Sequence, residues 1–397
     1  MTSSSLSLPC PDVVGGDTPT GTGLFGGLAT AAAVAAEAAS LLLRVSAALW
    51  CAEAASLHLH FLQVFFMECE CAPLSEHGRS DSASEESLAY KAMRTVWVPW
   101  QRKRRLVREQ ERVQATRRSA WIDAGLQHAV ALRPNGNVAC WGYNNNGQAP
   151  PDGVEGDFVA IAAGRFHSIA LRRNGNVACW GYNNNGQAPP DGVEGDFVAI
   201  AAGHFHSLAL RRNGNIACWG YNNNGEAPPG GVDGDFVAIA AGSHHSLALR
   251  RNGNIACWGY NNNGEAPPGG VDGDFFAIAA GVHHTLALRR NGSVACWGYN
   301  DNGEAPPGGV PGVFVAIAAG ANHSLALRRD GSIACWGMND RGQAPPEGVP
   351  GDFVAIAAGY DHSLALRRDG SIACWGYNGS GQAPPDGVRG PFKTQEL

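Results

Sequence analysis

The chain is poor in charged residues and has no surplus of positive charge. Asp, Glu, Lys and Arg make up 16% of the 397 residues, and the formal net charge is -6. Concentrated positive charge is confined to residues 102–118, so we expect the bulk of the protein not to bind nucleic acid. Since 44% of the residues are hydrophobic, the composition is that of a globular protein and not of a disordered one.

The sequence also lacks a distinctive catalytic or metal-binding constellation. No Ser/His/Asp arrangement, phosphate-cradling glycine loop or pair of carboxylates stands at a single distinctive place. Every candidate group recurs in seven copies, and catalytic sites are not usually sevenfold. We therefore expect no enzyme, no cofactor and no metal, and Cys69 and Cys71 are too closely spaced and isolated to indicate a metal site.

Glycine and proline, in contrast, are abundant, with 53 and 23 copies, and they punctuate a repeat. Runs such as FVAIAA, HSLALRR and IACWGY are separated by Gly, Asn-Gly or Asp-Gly, which predicts three strands per unit joined by two-residue hairpins. Pro-Pro pairs such as Pro189-Pro190 predict an extended crossover with room for a short outer strand. The tripeptide Cys-Trp-Gly begins every 39 residues, at Cys140, Cys179, Cys218, Cys257, Cys296, Cys335 and Cys374.

Three or four antiparallel strands repeated seven times predict an all-β fold, a seven-bladed β-propeller of 39-residue repeats over residues 119–397. The start of the first unit departs from the repeat pattern, because residues 119–122 read SAWI where other units read FVAI. Phe392 stands 39 residues after Phe353, so residues 392–397 are a candidate closing strand. One cysteine per blade does not favour disulfides, and free buried thiols indicate a reducing compartment.

Residues 1–118 are predicted to be a separate N-terminal segment, partly helical or disordered. Its Ala-rich apolar runs over residues 24–67 each carry a charge near the middle, Glu37 and Glu53. A membrane span, buried or self-paired helices and an unstructured leader all stay open. A cleavable secretory signal is not expected, because Asp12 and Asp17 precede the apolar run and no basic residue does.

An acidic, serine-rich linker over residues 75–87 and the basic stretch over residues 102–118 complete that segment. The basic stretch, with its Arg102–Arg105 cluster, is read as a nuclear address, a membrane-surface helix or a solvated helix leading into the propeller. We expect an intracellular protein, cytoplasmic or nuclear, with membrane association through residues 24–67 left open.

Two repeated side chains are expected to hold the blades together. A histidine after each Gly-x-x turn can hydrogen-bond a backbone carbonyl of its own or the adjacent blade, and a tryptophan beside each cysteine can pack between blades. The histidines are His128, His167, His206, His245, His284, His323 and His362, and the tryptophans are Trp141, Trp180, Trp219, Trp258, Trp297, Trp336 and Trp375.

The repeats differ mainly at the two residues between that Gly and that His. Equivalent turns of a propeller share one face near the channel mouth, so the variable pairs make a ring suited to protein binding, or else record neutral drift at exposed turns. Smaller differences at residues 340–341 and 379–380, and six Arg pairs at the hairpins, are read as turn chemistry and as a solvated or anion-binding rim. The predicted partner-binding residues are Arg165, Phe166, His204, Phe205, His244, His283, Asn322, Tyr360 and Asp361.

The segment from Ile200 to Leu210, followed by a strand ending in Trp-Gly and an Asn-Gly turn, resembles the repeat of the regulator of chromosome condensation family. The short unit is similar to the compact repeats of the bacterial β-lactamase-inhibiting propeller, which binds its enzyme through the corresponding aromatic-rich face. The resemblance supports the prediction, made from the variable ring, of a non-enzymatic interaction module or scaffold for a protein partner, and we expect a monomer. The alternative it implies is a guanine-nucleotide exchange factor for a small GTPase, although no repeat here carries the insertion that the family's nuclear exchange factor uses.

Overall fold

A computed structural model describes residues 121–394, which form seven three-stranded antiparallel sheets, one from each repeat. The first strands of the sheets line a central channel of about 740 Å³, and the first strand of repeat 7 contacts that of repeat 1. The ring is therefore closed, and the predicted seven-bladed propeller is confirmed. Residues 24–67, 75–87 and 102–118 lie outside the described part, within which no helix is long and apolar enough to cross a membrane.

Each sheet has an inner, a middle and an outer strand, in chain order. The inner strands are β1 (Ile122–Ala124), β4 (Phe158–Ala163), β7 (Phe197–Ala202), β10 (Phe236–Ala241), β13 (Phe275–Ala280), β16 (Phe314–Ala319) and β19 (Phe353–Ala358). The middle strands are β2 (His128–Leu132), β5 (His167–Arg172), β8 (His206–Arg211), β11 (His245–Arg250), β14 (His284–Arg289), β17 (His323–Arg328) and β20 (His362–Arg367). The outer strands are β3 (Val138–Gly142), β6 (Val177–Gly181), β9 (Ile216–Gly220), β12 (Ile255–Gly259), β15 (Val294–Gly298), β18 (Ile333–Gly337) and β21 (Ile372–Gly376).

The hairpin between the middle and outer strands is longer than the predicted two-residue turn. Arg172 N–H donates to the Asn176 carbonyl at 2.8 Å, so three residues stand between the paired positions, and Gly175 N–H donates to the Arg172 carbonyl at 3.0 Å. Gly175 has φ +94°, which is the left-handed residue that closes a three-residue hairpin loop. Gly175 is thus the third residue of a three-residue loop, and not the second residue of the predicted two-residue turn.

The Pro-Pro segment forms a turn and not the predicted extended crossover, because Gly153 N–H donates to the Pro150 carbonyl at 2.9 Å. The residue after that turn touches its own sheet at one point. Val154 forms an isolated antiparallel bridge with Val138 of β3, and the other six repeats have the equivalent bridge. Proline cannot donate to a ladder, which explains why the fourth strand is reduced to a single bridge.

The hydrophobic core is divided among the blade interfaces. Leu208, Leu210 and Ile216 of repeat 3 pack with Phe236 and Ala248 of repeat 4, and the remaining interfaces are built alike. A middle strand has a blade on each side, so its alternating faces are both covered. This is why the HSLALR run is buried along nearly its whole length, including its His and Ser.

The C-terminal segment completes repeat 1. Phe392 is 3% exposed, lies 6.3 Å from the Trp141 ring and receives the Arg133 guanidinium over its own ring. Its N–H donates to the Gly370 carbonyl at 3.0 Å, and Lys393 N–H donates to the Leu132 carbonyl of β2 at 2.9 Å. Phe392 therefore takes the place that Phe158 has in repeat 2. Residues 391–394 form no regular strand, and residues 395–397 of the predicted closing strand lie outside the described part.

Candidate functional site

The variable pairs all lie at one end of the channel, because each joins an inner strand that arrives there to a middle strand that leaves it. We define the variable face as these seven turns together with the adjoining loops that follow each outer strand, such as residues 143–147. The two meet directly: Tyr182 N–H donates to the Phe166 carbonyl at 2.8 Å. The opposite end carries the arginine hairpins.

The Gly that opens each turn is required by the histidine that closes it. A methyl group on Gly164 would overlap the imidazole ring of His167 and the carbonyl oxygen of Gly203 in the next blade. The Gly-x-x-His spacing thus places an imidazole directly against backbone at the blade interface, where each repeated histidine is 0% exposed.

These histidines bond to a hydroxyl of the next blade and not to a backbone carbonyl as the sequence suggested. His128 Nε2 lies 2.9 Å from Ser168 Oγ, and that hydroxyl donates to the Gln148 carbonyl at 3.0 Å. Because the single hydroxyl proton is given to the carbonyl, Nε2 must carry the proton that it donates to Ser168. The same relay joins His167 to Ser207, His206 to Ser246, His245 to Thr285, His284 to Ser324 and His323 to Ser363.

The seventh interface lacks this relay. Repeat 1 has Ala129 where the other repeats have a hydroxyl, and His362 Nε2 is buried without a hydrogen-bond partner. Tyr360 N–H still donates to the Gly125 carbonyl at 3.2 Å, so backbone pairing continues across the interface. The junction of repeats 7 and 1 is consequently the interface with the poorest side-chain hydrogen bonding.

Burial determines the protonation of the histidines. The pKa of His167 is lowered to about 3, mainly by burial and in smaller part by the neighbouring His128 and His206. The other six repeated histidines have pKa values lowered to about 3 or 4, also mainly by burial. The seven repeated histidines are therefore neutral at physiological pH.

Each repeated tryptophan bridges two blades. Trp180 Nε1–H donates to the Gln148 carbonyl at 3.0 Å, the same carbonyl that accepts the Ser168 hydroxyl. Trp141 makes the equivalent bond to the Gln382 carbonyl across the last interface, at 3.0 Å. Trp219, Trp258, Trp297, Trp336 and Trp375 donate in the same way.

On the variable face, the second residue of the pair in repeats 2 and 3 inserts between loop tyrosines. Phe166 lies 6.3 Å from Tyr143 and 6.4 Å from Tyr182, and Phe205 lies 6.2 Å from Tyr182 and 6.4 Å from Tyr221, all between ring centroids. Tilted and edge-on contacts at these distances are favourable for aromatic rings. The result is a continuous aromatic arc over repeats 1–3. Variation among the repeats does not reveal these tyrosines, because they are nearly constant along the chain.

The arc changes character in repeats 4 and 5, where histidines stand over buried glutamates. His244 Nδ1 lies 3.4 Å from Glu226, and His283 Nδ1 lies 3.7 Å from Glu265. Burial raises the pKa of Glu226, but the His244 hydrogen bond and backbone donors outweigh it, so the pKa is lowered overall. Where the second residue of the pair is Phe166 or Phe205, the residue equivalent to Glu226 in the preceding repeat is a glutamine, Gln148 or Gln187. The change from Gln to Glu thus coincides with the change from Phe to His, and this coincidence is the sequence signal that could have revealed the His–Glu pairs.

Repeats 6 and 7 close the face with polar contacts. Asp361 lies 3.8 Å from Arg341, whose guanidinium stands 4.5 Å from the Tyr377 ring centroid. Asn322 reaches Met338 Sδ at 3.9 Å. The variable residues 340–341, treated as separate in the sequence, thus belong to the same face.

The first residues of the pairs converge on the channel mouth. Arg165, His204 and Tyr360 line it, and the rings of His204 and Tyr360, from repeats 3 and 7, are 6.4 Å apart. Ser243 Oγ fixes His204 through Nδ1 at 2.6 Å. Of the nine predicted partner-binding residues, these three surround the mouth, and the other six lie among the surrounding loops.

Inside the channel the wall is mostly alanine, and repeat 1 adds a carboxylate to it. Asp123 replaces an alanine in β1 and accepts from Ala163 N–H at 2.8 Å and from Ala124 N–H at 2.9 Å. Burial raises its pKa to about 7 despite these two donors. Within residues 121–394 no three His, Cys, Asp or Glu side chains come together as metal ligands, and the seven cysteines there are free thiols.

Comparison with known sequences gives one family. The model of the regulator of chromosome condensation (RCC1) repeat matches seven times, at residues 122–148, 158–187, 197–226, 236–265, 277–304, 314–343 and 353–382. No curated protein sequence matches the chain.

Solved structures with a similar fold include plant and yeast proteins. The ectodomain of the Physcomitrella patens receptor kinase CR4 is 27% identical, with TM-score 0.53 over 64% of this chain and 73% of that one. The CRINKLY WD40 ectodomain of the Arabidopsis thaliana receptor kinase ACR4 is 25% identical, with TM-score 0.54 over 67% and 98%. Yeast RCC1 (Prp20), in a structure with bound Kap60, is 20% identical, with TM-score 0.54 over 71% and 87%, and shows the fold alone.

Proposed function

The chain belongs to the regulator of chromosome condensation (RCC1) repeat family, and from this premise we propose that it is a non-enzymatic module that binds a protein partner through its variable face. The observation that carries the proposal is the distribution of variation on a nearly uniform scaffold. Blade interfaces repeat the same histidine, hydroxyl and tryptophan contacts, whereas the turns around the channel mouth differ in every repeat.

The chemistry of the face supports the same function. Its aromatic arc, with Phe166, Phe205 and three tyrosines, supplies side chains of the kind enriched at binding hot spots. These rings are held by one another and by closed blades, so little side-chain freedom remains to be lost on association.

The test is affinity capture from native extract with the full chain. The variant carries alanine at Phe166, Phe205, His244 and Tyr360, and the matched control carries four alanines at exposed arginines of the opposite face, Arg173, Arg212, Arg329 and Arg368. We expect the control to retain the partner of the wild type and the variant to lose it, with unchanged thermal unfolding. Equal capture by both variants would refute the variable face as the binding site.

The second candidate is a guanine-nucleotide exchange factor for a small GTPase, favoured by the repeat family. The yeast relative Prp20p has been studied for binding to Gsp1p and histones. In this chain all seven repeats keep the same 39-residue spacing, which leaves no insertion to act as a displacing element. An exchange factor must accelerate nucleotide release at substoichiometric concentration, whereas a binding module need only form a complex, so a release assay separates the two.

A further inference from the structure

The channel mouth contains a single permanent charge among the first residues of the variable pairs. Six of the seven positions are uncharged or neutral at physiological pH, and repeat 2 places an arginine there. The seven residues are Leu126, Arg165, His204, Ser243, Val282, Ala321 and Tyr360.

Arg165 is held between two phenyl rings. Its guanidinium carbon lies 5.2 Å from the ring centroid of Phe166 and 5.4 Å from that of Phe205 in the next repeat. Cation–π contacts of this kind use the faces of the guanidinium, and they leave the N–H donors at its edge directed elsewhere. The side chain is consequently positioned before any ligand arrives.

Those donors have no acidic partner within the described residues. No carboxylate lies within ion-pair distance of Arg165, and its Nε is buried without a hydrogen-bond partner. The other arginine of the variable face, Arg341, does have one, since it lies 3.8 Å from Asp361. An unpaired, partly desolvated guanidinium favours an incoming acceptor, because a carboxylate can accept two parallel N–H bonds from it.

The surroundings of Arg165 select for an apolar neighbour of that acceptor. Burial, followed by the charge of Arg165, lowers the pKa of His204 well below its usual range, so the imidazole is neutral. Phe205 stands 6.2 Å from His204, and Tyr360 stands 6.4 Å from it, which completes an aromatic wall around the mouth. Glu226 and Glu265 place buried carboxylates beside His244 and His283, which disfavours an anion there and favours it near Arg165 of repeat 2.

We propose that Arg165 anchors an aspartate or glutamate on a protruding loop of the protein partner, with an aromatic or aliphatic residue beside it packing on Phe205 and Tyr360. This inference rests on the proposed function and specifies the chemistry of the partner. The carboxylate supplies charge recognition, and the aromatic wall excludes water from the ion pair.

The test compares two probes that differ only in charge. N-acetyl-aspartyl-4-fluorophenylalanine amide and its asparaginyl counterpart are titrated into the full chain at low salt and followed by fluorine NMR. We expect the aspartyl probe to bind at least about tenfold more tightly. Arg165→Gln should abolish that preference, whereas Arg341→Gln, a change of the same kind on the same face, should preserve it. Unchanged thermal unfolding shows that both variants fold.

Each other result overturns the proposal. A preference that survives Arg165→Gln, equal binding of both probes, or no binding of either at about 10 mM would each exclude a carboxylate site at this mouth. Failure here remains distinguishable from failure of the proposed function. If the capture experiment still depends on the variable face while the probes show no preference, the face binds its partner without an acidic anchor.

Discussion

Replacing Ala129 with serine should stabilise the propeller by restoring the hydrogen-bond relay that the last blade interface lacks. His362 Nε2 is buried there without a partner, and the Gln382 carbonyl accepts from Trp141 without the second donor that Gln148 receives from Ser168. A hydroxyl at residue 129 would accept from His362 and donate to Gln382, as Ser168 does between His128 and Gln148.

The size of the effect follows from two new hydrogen bonds. Each contributes about 1 kcal/mol net, so Ala129→Ser should add about 2 kcal/mol to the free energy of unfolding. At about 2–4 °C per kcal/mol for a ring of this size, the midpoint of thermal unfolding should rise by about 4–8 °C. Space is sufficient, because Thr285 occupies the equivalent position in repeat 5 with 0% exposure.

Calorimetry or thermal circular dichroism measures the change, and Ser207→Ala provides the matched control. That variant removes the hydroxyl between His167 and Gln187, which lie 3.0 Å from it on either side, and should destabilise by about 1–3 kcal/mol. If Ser207→Ala lowers the midpoint but Ala129→Ser does not raise it, the reasoning about the last interface is wrong. If neither variant shifts the midpoint, the relay does not stabilise the ring at all.

Two further perturbations test closure and protonation. Phe392→Ala should cost about 3–5 kcal/mol by emptying the pocket beside Trp141, with hydrogen exchange rising first in β1 and β2; exchange that rises evenly around the ring would contradict closure by this residue. Because the folded pKa of the repeated histidines is about 3 or 4, below the unfolded value of 6.5, the unfolded chain binds more protons below pH 6.5. The free energy of urea unfolding should therefore fall steeply from about pH 6.5 toward pH 4, because seven histidines outweigh the opposite slope of the single Asp123, whose folded pKa is raised to about 7. A flat profile over that interval would disprove neutral buried histidines.

Local sequence patterns were sufficient to predict the strands and the number of blades. Short apolar runs of strand length between glycine-containing turns predicted three strands per repeat, and the constant spacing predicted seven copies. The variable pairs could also be placed on one face, because identical units in a ring must present equivalent turns at the same end. The hairpin was misjudged by one residue, since Asn-Gly fits both a two-residue turn and the three-residue loop that Gly175 closes.

What the sequence did not contain was the offset between neighbouring blades. The partner of His128 is Ser168, 40 residues away, and only the packing of one sheet on the next brings the two side chains to 2.9 Å. Side-chain pairs across loops were hidden for the same reason, as with Arg341 and Asp361. The position of Phe392 in the 39-residue repeat could be seen in the sequence, but its contact with Trp141 depends on ring closure.

The sequence by itself therefore determined the strands, the number of blades and the end of the ring at which variation collects, because these follow from short-range periodicity repeated along the chain. Tertiary structure alone decided which groups are satisfied and which are not. Arg165 without a carboxylate, His362 without a hydroxyl and Glu226 beneath His244 each result from contacts between different repeats. Such contacts are set by how the blades close around the channel, a distance relation that no local pattern encodes.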